Sequence, residues 1–487
     1  MNQNFVKSMA LLTAGLGLFS CKSQQKEEVE KPNIMFIVVD DLGWADLACY
    51  GADLHETPNI DRLASKSTIF TNSYSAGPVS SPTRASLMTG KYPARLHFTI
   101  WSEAASVAER KNQERFKYLP PQTIETLPLE EITIAEKLKE NGYLTAHVGK
   151  WHIGDFMHFP ETQGFDVSVA ASQRGATSTF FYPYRAFGFG EFRYIGDLDT
   201  DPEGKYFTDR EDEYLTDRLT DEALKIIEDA GTRPFYLNLC YFSVHTPIEA
   251  KPNDIEFFKT KISPEFHHQN ETYAAMVKAV DDNVGRLLKK LDDQGIAENT
   301  IVILISDNGG FIGKNNNKVV TNNFPLRSGK GSLYEGGIRI PTIIFYPQNP
   351  GKGQKIETPI STIDFFPTVL EIIGTKNDIP IDGKSFFPLI KGESDISLQN
   401  RTLFWHYPHY YATTTPVSAI RDGNWKLLEY LGDEQIELYN LENDLGESQN
   451  LVNEEPQKAK ELLEKLHNWM HDVDAQGVTL NPNFRSN

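Results

Sequence analysis

Two stretches of this chain, Ile34–Val39 and Ile301–Ile305, are apolar without a break, and Phe235–Leu239 is a third apolar run. A strand with one wet face alternates apolar and polar residues; an unbroken run of this length reads as a strand buried on both faces. Helical spacing lies between these runs. Tyr273, Met276, Val277, Val280, Val284, Leu287, Leu288 and Leu291 share one helix face, and Gly295 ends the stretch. Thr133 and Glu136 form a capping-box pattern that opens a helix over Ile134 to Asn141, with Gly142 as its stop and Tyr143 to Val148 as the next strand. Thr57-Pro58 opens a shorter helix that runs to Ala64. Buried strands alternating with amphipathic helices predict an α/β layered domain around a mostly parallel sheet.

The pattern changes toward the C-terminus. Residues 351–400 are richer in Gly, Pro and polar groups. After Arg401 come short strands, Ser418 to Arg421, Trp425 to Tyr430 and Glu437 to Tyr439, and then an amphipathic helix from Pro456 to about Asp472. We therefore expect a catalytic domain over 32–375, a connecting segment over 376–400, and a small α+β subdomain over 401–487 with an antiparallel sheet and one long helix. No internal repeat is visible.

Lys7 precedes the apolar run Met9 to Phe19, which is too short to span a bilayer and has the shape of a signal peptide. Leu18-Phe19-Ser20-Cys21 resembles a bacterial lipobox, so residues 1–21 are expected to be a lipoprotein signal ending at a lipidated Cys21. A plain secretory signal with an incidental cysteine is the alternative. Residues 22–31 are charged and read as a flexible tether. The expected location is exported, lipid-anchored in the periplasm or on the outer membrane. Cys49 and Cys240 sit in apolar contexts and read as buried thiols; two cysteines do not establish a disulfide. The chain carries 48 Lys and Arg against 67 Asp and Glu, a net charge of −19. That excess argues against a nucleic-acid partner, and an anionic substrate would need a local cluster of cations.

Asp40-Asp41 follows the first buried strand directly, and Ser306-Asp307-Asn308-Gly309-Gly310 follows Ile301–Ile305 in the same way. In open α/β sheets ligands bind beyond the carboxyl ends of strands. Adjacent carboxylates there serve equally as metal ligands or as a helix-capping pair. Joined with the second strand end, they give four oxygen ligands without His or Cys, a donor set for a hard cation such as Ca²⁺. The stretch Ser80-Ser81-Pro82-Thr83-Arg84-Ala85-Ser86-Leu87-Met88-Thr89-Gly90 places Pro82 at an expected first helical position and Ser80 just before the helix, where backbone N–H groups favour an oxyanion. A capped helix with a surface arginine would look the same.

This stretch resembles the signature of the type I, formylglycine-dependent sulfatases: Cys or Ser, any residue, Pro, Ser, Arg, then a helix ending Thr-Gly. Two positions depart from it. Ser80 stands where Cys is commoner, and Thr83 stands in place of Ser. The resemblance runs from about Asn33 to Asp472, and points to the kind carried by glycan-degrading Bacteroides-like bacteria. It implies an alkaline-phosphatase-like fold, a large mixed sheet flanked by helices. It implies that Ser80 is oxidised to formylglycine by a radical maturase, and that Asp40, Asp41, Asp307, Asn308 and modified Ser80 hold one Ca²⁺. Gly149-Lys150-Trp151-His152-Ile153-Gly154 matches a family motif and carries over Lys150 and His152. His245 and Lys330 match a catalytic His and a sulfate-binding Lys.

The mechanism so implied has a calcium-bound gem-diol at position 80 attacking sulfur. Arg84, Lys150 and Lys330 stabilise the sulfuryl oxygens, His245 with Lys330 protonates the leaving alcohol, and His152 takes the proton that lets sulfate leave. The implied substrate is a sulfated host or algal glycan fragment, with a lean to a galactose or N-acetylgalactosamine sulfate. Aromatic- and Arg-rich loops supply His97, Trp101, Arg174, Tyr184 and Arg185 as sugar-pocket candidates, although loop packing would explain them too. Two rivals remain at this level: a phosphonate or phosphate ester hydrolase of the same superfamily, and an inactive glycan-binding lipoprotein. Asn308, where two-zinc members carry His, argues against two zincs.

Overall fold

The computed structural model describes residues 31–106, 113–184, 205, 210, 212–349, 353–433 and 435–485. The expected lipidation site Cys21, with the signal and the tether up to residue 30, lies outside them. No helix of the described residues is long and apolar enough to cross a membrane.

The main sheet has eight strands: β1 Asn33–Val39, β2 Thr68–Phe70, β3 Leu144–Gly149, β4 Val167–Val169, β5 Phe235–Cys240, β6 Thr300–Ser306, β7 Thr342–Phe345 and β8 Lys355–Ile356. Their spatial order is β8-β2-β7-β6-β1-β5-β3-β4. The run β6-β1-β5-β3-β4 is parallel throughout. β7 pairs antiparallel with both neighbours, which makes the sheet mixed.

β1 shows why the sheet is buried on both faces. Successive side chains of a strand point to opposite sides. Met35, Ile37 and Val39 join one core with the helices Leu215–Ala230 and Glu271–Asp293. Ile34, Phe36 and Val38 join a second core with Ser80–Thr89, Ile134–Glu140 and Phe365–Ile372. β6 divides in the same way, Val302 and Leu304 to the first core and Ile301, Ile303 and Ile305 to the second. Each such side chain, buried in full, contributes roughly 1.5–3 kcal/mol. The capping box at Thr133 is formed in both directions, as its sequence predicts.

The C-terminal part carries a four-stranded antiparallel sheet, β9 Thr402–Tyr407, β10 Val417–Asp422, β11 Trp425–Tyr430 and β12 Gln435–Asn440, in that order. β9 has no counterpart in the sequence reading. The reason is that its side chains enter two different cores, Leu403, Trp405 and Tyr407 on one face and Phe404 on the other, so no polar alternation marks it. One face meets Tyr74, Val79, Leu333 and Ile338 of the larger part. The other meets the helix Pro456–Asp472, where Trp469 stacks on Phe404 at 4.8 Å.

A buried ionic joint fastens the first of these faces. Lys426 of β11 lies 2.8 Å from both Glu335 and Glu447, and all three side chains are out of solvent. Tyr74 donates to Glu335 at 2.7 Å, and Arg421 of β10 donates to Tyr74. Removing the cation would strand two carboxylates in the interior. Lys426→Ala is therefore expected to lower the unfolding free energy by about 3–5 kcal/mol, read from a urea denaturation curve.

Candidate active site

β1 and β6 are adjacent and parallel, with Val39 opposite Ser306. Their carboxyl ends therefore deliver Asp40-Asp41 and Asp307-Asn308 side by side. Carboxylate oxygens of Asp40, Asp41 and Asp307 lie within 4.8 Å of one another, and all three residues are buried. Asp41 has φ 59°, a left-handed conformation that short polar side chains tolerate better than most. Its backbone N–H donates to Asp307 Oδ1 at 3.1 Å, and Asn308 Nδ2 donates to Asp41 Oδ1 at 2.8 Å. Gly309 follows because nothing larger fits: a Cβ there would lie 1.9 Å from the Gly336 carbonyl oxygen.

Ser80 enters from the helix Ser80–Thr89. That helix starts at Ser80 itself, so Pro82 is its third residue, two positions later than the sequence suggests. The first four N–H groups of a helix have no partner inside it, so a proline anywhere in the first turn costs no internal hydrogen bond. Ser80 Oγ lies 3.1 Å from Lys150 Nζ, 3.3 Å from Asp40 Oδ1 and 3.4 Å from Asn308 Oδ1.

Three cations face the three carboxylates. Lys150 Nζ donates to Asp40 Oδ2 at 2.7 Å. Arg84 Nε donates to Asp307 Oδ2 at 2.9 Å, and its Nη1 donates to the Lys150 carbonyl at 2.8 Å. Lys330 Nζ sits 2.8 Å from Asp41 Oδ1. Burial pushes the Asp40 carboxyl upward; Lys150 opposes the shift, and Asp307 and Asp41 add to it. Burial would raise Asp307 too, but Arg84, Lys150 and Lys330 hold it well below the usual carboxylate range. An all-oxygen set, Asp40, Asp41, Asp307, the Asn308 amide and the position-80 side chain, fits a hard divalent cation.

A cavity of about 300 Å³ opens on Ser80. His152, His245 and Lys330 line it, as do Trp101 and Arg174 from the expected sugar contacts. Arg84 and Lys150 do not. They stand behind the carboxylates, because Arg84 is committed to Asp307 and the Lys150 carbonyl, and Lys150 to Asp40 and Ser80. His97 also lies off the cavity, with Nε2 2.9 Å from the Asp474 carbonyl near the C-terminal helix. Tyr184 is fully buried, and its hydroxyl donates to Glu213 at 2.6 Å. Arg185 lies outside the described residues.

Glu103, Gly175 and Tyr411 also line the wall and carry no motif. Tyr411 comes from the β9–β10 connection and meets Trp101 edge-on at 5.6 Å. Thr413 of the same connection donates to the Lys330 carbonyl at 2.8 Å. Burial, and then Lys330, depress the His245 imidazole to about 3, with Asp41 opposing; its Nδ1 pairs with the Thr246 carbonyl at 2.8 Å.

A second group, Asp46, His55 and His268, also brings three possible ligand atoms together. Asp46 is already filled: its oxygens accept from Gly43 N at 2.6 Å, from the Tyr273 hydroxyl at 2.6 Å and from Thr321. We read this group as a brace for the loop after Asp41, whose carbonyl also lies 3.4 Å from the Tyr273 hydroxyl.

Comparison with known proteins places this geometry. Residues 32–375 match the family described as Sulfatase, and residues 329–476 match the family described as N-sulphoglucosamine sulphohydrolase, C-terminal. A sulfatase of Formosa agariphila is 32% identical, over 93% of this chain and 90% of its own. The steryl-sulfatase of Homo sapiens is 30% identical, over 81% and 75%. The N-acetylgalactosamine-6-sulfatase of Canis lupus familiaris is 32% identical, over 82% and 71%. The crystal structure of Ps i-CgsB in complex with k-i-k-neocarrahexaose superposes with a TM-score of 0.74 at 31% identity, covering 92% of this chain and 94% of that one.

A calorimetric titration with Ca²⁺ should give one site per chain. At a free concentration one hundred times Kd the ion should raise the unfolding free energy by about 2.7 kcal/mol. Asp307→Asn should abolish the binding heat, whereas His268→Asn should leave the stoichiometry at one.

Proposed function

The chain belongs to the sulfatase family and is a sulfuric ester hydrolase, and from that premise we propose that the ester it cleaves is carried by a carbohydrate. The observation that carries the reading is the setting of Ser80. It opens a buried helix, its oxygen lies within 3.4 Å of Asp40, Lys150 and Asn308, and it faces a cavity walled by His152, His245 and Lys330. A cation on the aspartate cluster, calcium in this reading, and a formylglycine made from Ser80 would supply an acidified hydroxyl nucleophile and a second hydroxyl whose loss of a proton lets sulfate leave as the aldehyde re-forms.

The chain's own groups do the rest. Lys150 Nζ, on Ser80 Oγ and Asp40 at once, fixes the position-80 oxygen against the carboxylate. Lys330 is the ammonium on the cavity wall and neutralises the sulfuryl oxygens there. Arg84 acts from behind, holding Asp307 ionised and in place. Burial alone would lower the Lys330 ammonium, but Asp41 holds it above its ordinary value, so Lys330 provides the proton that an alcohol leaving group needs; His245 stands beside it, with Nε2 3.7 Å from Asp41 Oδ2. His152 accepts the proton given up at position 80.

The cavity wall supports a sugar. Trp101 and Tyr411 offer ring surface, and Arg174 offers a planar donor set for hydroxyls or a carboxylate. The relatives that act on N-acetylgalactosamine-6-sulfate or hold neocarrahexaose support a galactose or N-acetylgalactosamine sulfate as substrate. Serine at position 80 supports a radical maturase as the partner that installs the aldehyde. The lipobox-like Leu18–Cys21 supports export and a lipid anchor.

The test is to weigh the Ser80 peptide of protein from its native host and to assay sulfate release. The expected peptide lacks two hydrogens and reacts with aldehyde reagents; unmodified serine throughout would move the assignment to a glycan-binding protein or to a phosphate ester hydrolase. Ser80→Ala should abolish sulfate release without shifting the melting temperature. Trp101→Ala should lower kcat/KM roughly tenfold on a sulfated galactose, about 1.4 kcal/mol, while leaving an aryl sulfate nearly unaffected. Faster turnover of a steryl sulfate than of any sulfated sugar would overturn the carbohydrate assignment.

A further inference from the structure

Glu103 belongs to none of the sequence motifs, yet it reaches the centre of the site. Its Oε2 lies 2.6 Å from His152 Nε2, and its Oε1 accepts the Gly175 N–H at 2.8 Å. The neighbouring Ser102 grips the same histidine by its backbone. Ser102 Oγ donates to the His152 carbonyl at 3.0 Å, and Ser81 Oγ donates to that carbonyl at 2.7 Å. Ser102 N–H closes the loop by donating to Ser81 Oγ at 3.1 Å. One short segment, Ser102-Glu103, thus ties the His152 ring, the His152 backbone and the residue beside Ser80 into one unit.

A carboxylate only accepts hydrogen bonds. Burial alone would raise Glu103, but His152 and the Gly175 N–H hold it below the usual carboxylate range, so it is ionised. The 2.6 Å contact therefore places the ring proton of His152 on Nε2. Burial, with Lys150 adding to it and Glu103 opposing, keeps the imidazole below its ordinary value, so the ring is neutral and Nδ1 carries a lone pair. That Nδ1 is buried and has no hydrogen-bond partner among the described residues, although the ring lines the same cavity as Ser80. An unpartnered buried nitrogen costs stability and points to a ligand or a reacting proton. Gly175 seals the arrangement: a Cβ there would lie 2.1 Å from His152 Cε1 and 2.5 Å from Nδ1.

We infer that Glu103 is the positioning residue for His152: it fixes the Nε2–H tautomer and so makes Nδ1 the atom that takes up a proton in the cavity. The inference rests on the sulfatase reading for what that proton is, namely one from a hydroxyl at position 80, which Nδ1 accepts and then passes to solvent. The arrangement follows the general logic by which a buried acid sets the tautomer of a catalytic histidine.

The test uses full-length, matured protein labelled with nitrogen-15 at histidine, with His152→Ala to assign the ring. In the wild type the His152 ring should show a protonated Nε2 and a bare Nδ1. Glu103→Ala should lose that preference and lower kcat roughly 10- to 100-fold with KM unchanged. Glu103→Gln keeps an oxygen that accepts from Nε2–H, and should restore the tautomer and most of kcat. A wild-type ring protonated on Nδ1 would overturn the inference without any variant. So would Glu103→Ala with wild-type kcat, or Glu103→Gln as impaired as Glu103→Ala. A wild type that releases no sulfate from any ester would instead sink the sulfatase reading, and the tautomer result would still stand on its own.

Discussion

Three carboxylates held out of water within 4.8 Å of one another are the constraint around which this molecule is arranged. Like charges at that spacing repel unless cations answer them. The fold answers with Lys150, Arg84 and Lys330, each brought from a different segment. Lys150 follows β3, Arg84 lies in the helix Ser80–Thr89, and Lys330 precedes the turn at Glu335. The parallel core of the sheet exists, in functional terms, to bring the carboxyl ends of the central strands β1 and β6 side by side so that the aspartates meet. The excess of negative charge over the whole chain is irrelevant at these strand ends, where the sign is balanced group by group.

What the sequence discloses, and what it hides, follow from how each contact is encoded. The strands β1 and β6 are legible because burial on both faces leaves an unbroken apolar run. The aspartates are legible because they sit directly after those runs, and Ser80, Lys150, His152, His245 and Lys330 because a family resemblance carries them. Short strands such as Thr68–Phe70 and Lys355–Ile356 hold too few residues to show a period, so the mixed edge of the sheet is hidden. β9 is hidden because its residues serve two cores. Among the sugar-pocket candidates, the loop composition that suggests Trp101 and Arg174 equally suggests His97 and Tyr184. Only the chain path separates them, since His97 turns toward Asp474 and Tyr184 toward Glu213. Glu103 and Tyr411 have no sequence signal at all, because each matters through contacts made across a long separation.

The C-terminal sheet is more than a buttress. Its face is clamped to the larger part by Lys426, which pairs with Glu335 on the same stretch that carries Lys330 and with Glu447 of its own part. Its β9–β10 connection holds the Lys330 carbonyl and supplies Tyr411 to the cavity. A Cβ at Gly331 would lie 2.0 Å from the Tyr411 ring, so the two segments are fitted closely enough that only glycine is accommodated next to the lysine.

That fitting divides the molecule into parts that can change at different rates. The groups bearing on position 80 are fixed by strand ends and one buried helix, where any replacement disturbs a neighbour's charge. Trp101, Arg174 and Tyr411 project onto the cavity from three separate connections, with Trp101 and Tyr411 meeting edge-on. A lineage can therefore exchange Arg174, or Trp101 together with Tyr411, and admit a different sulfate ester, while the chemistry beneath is inherited whole.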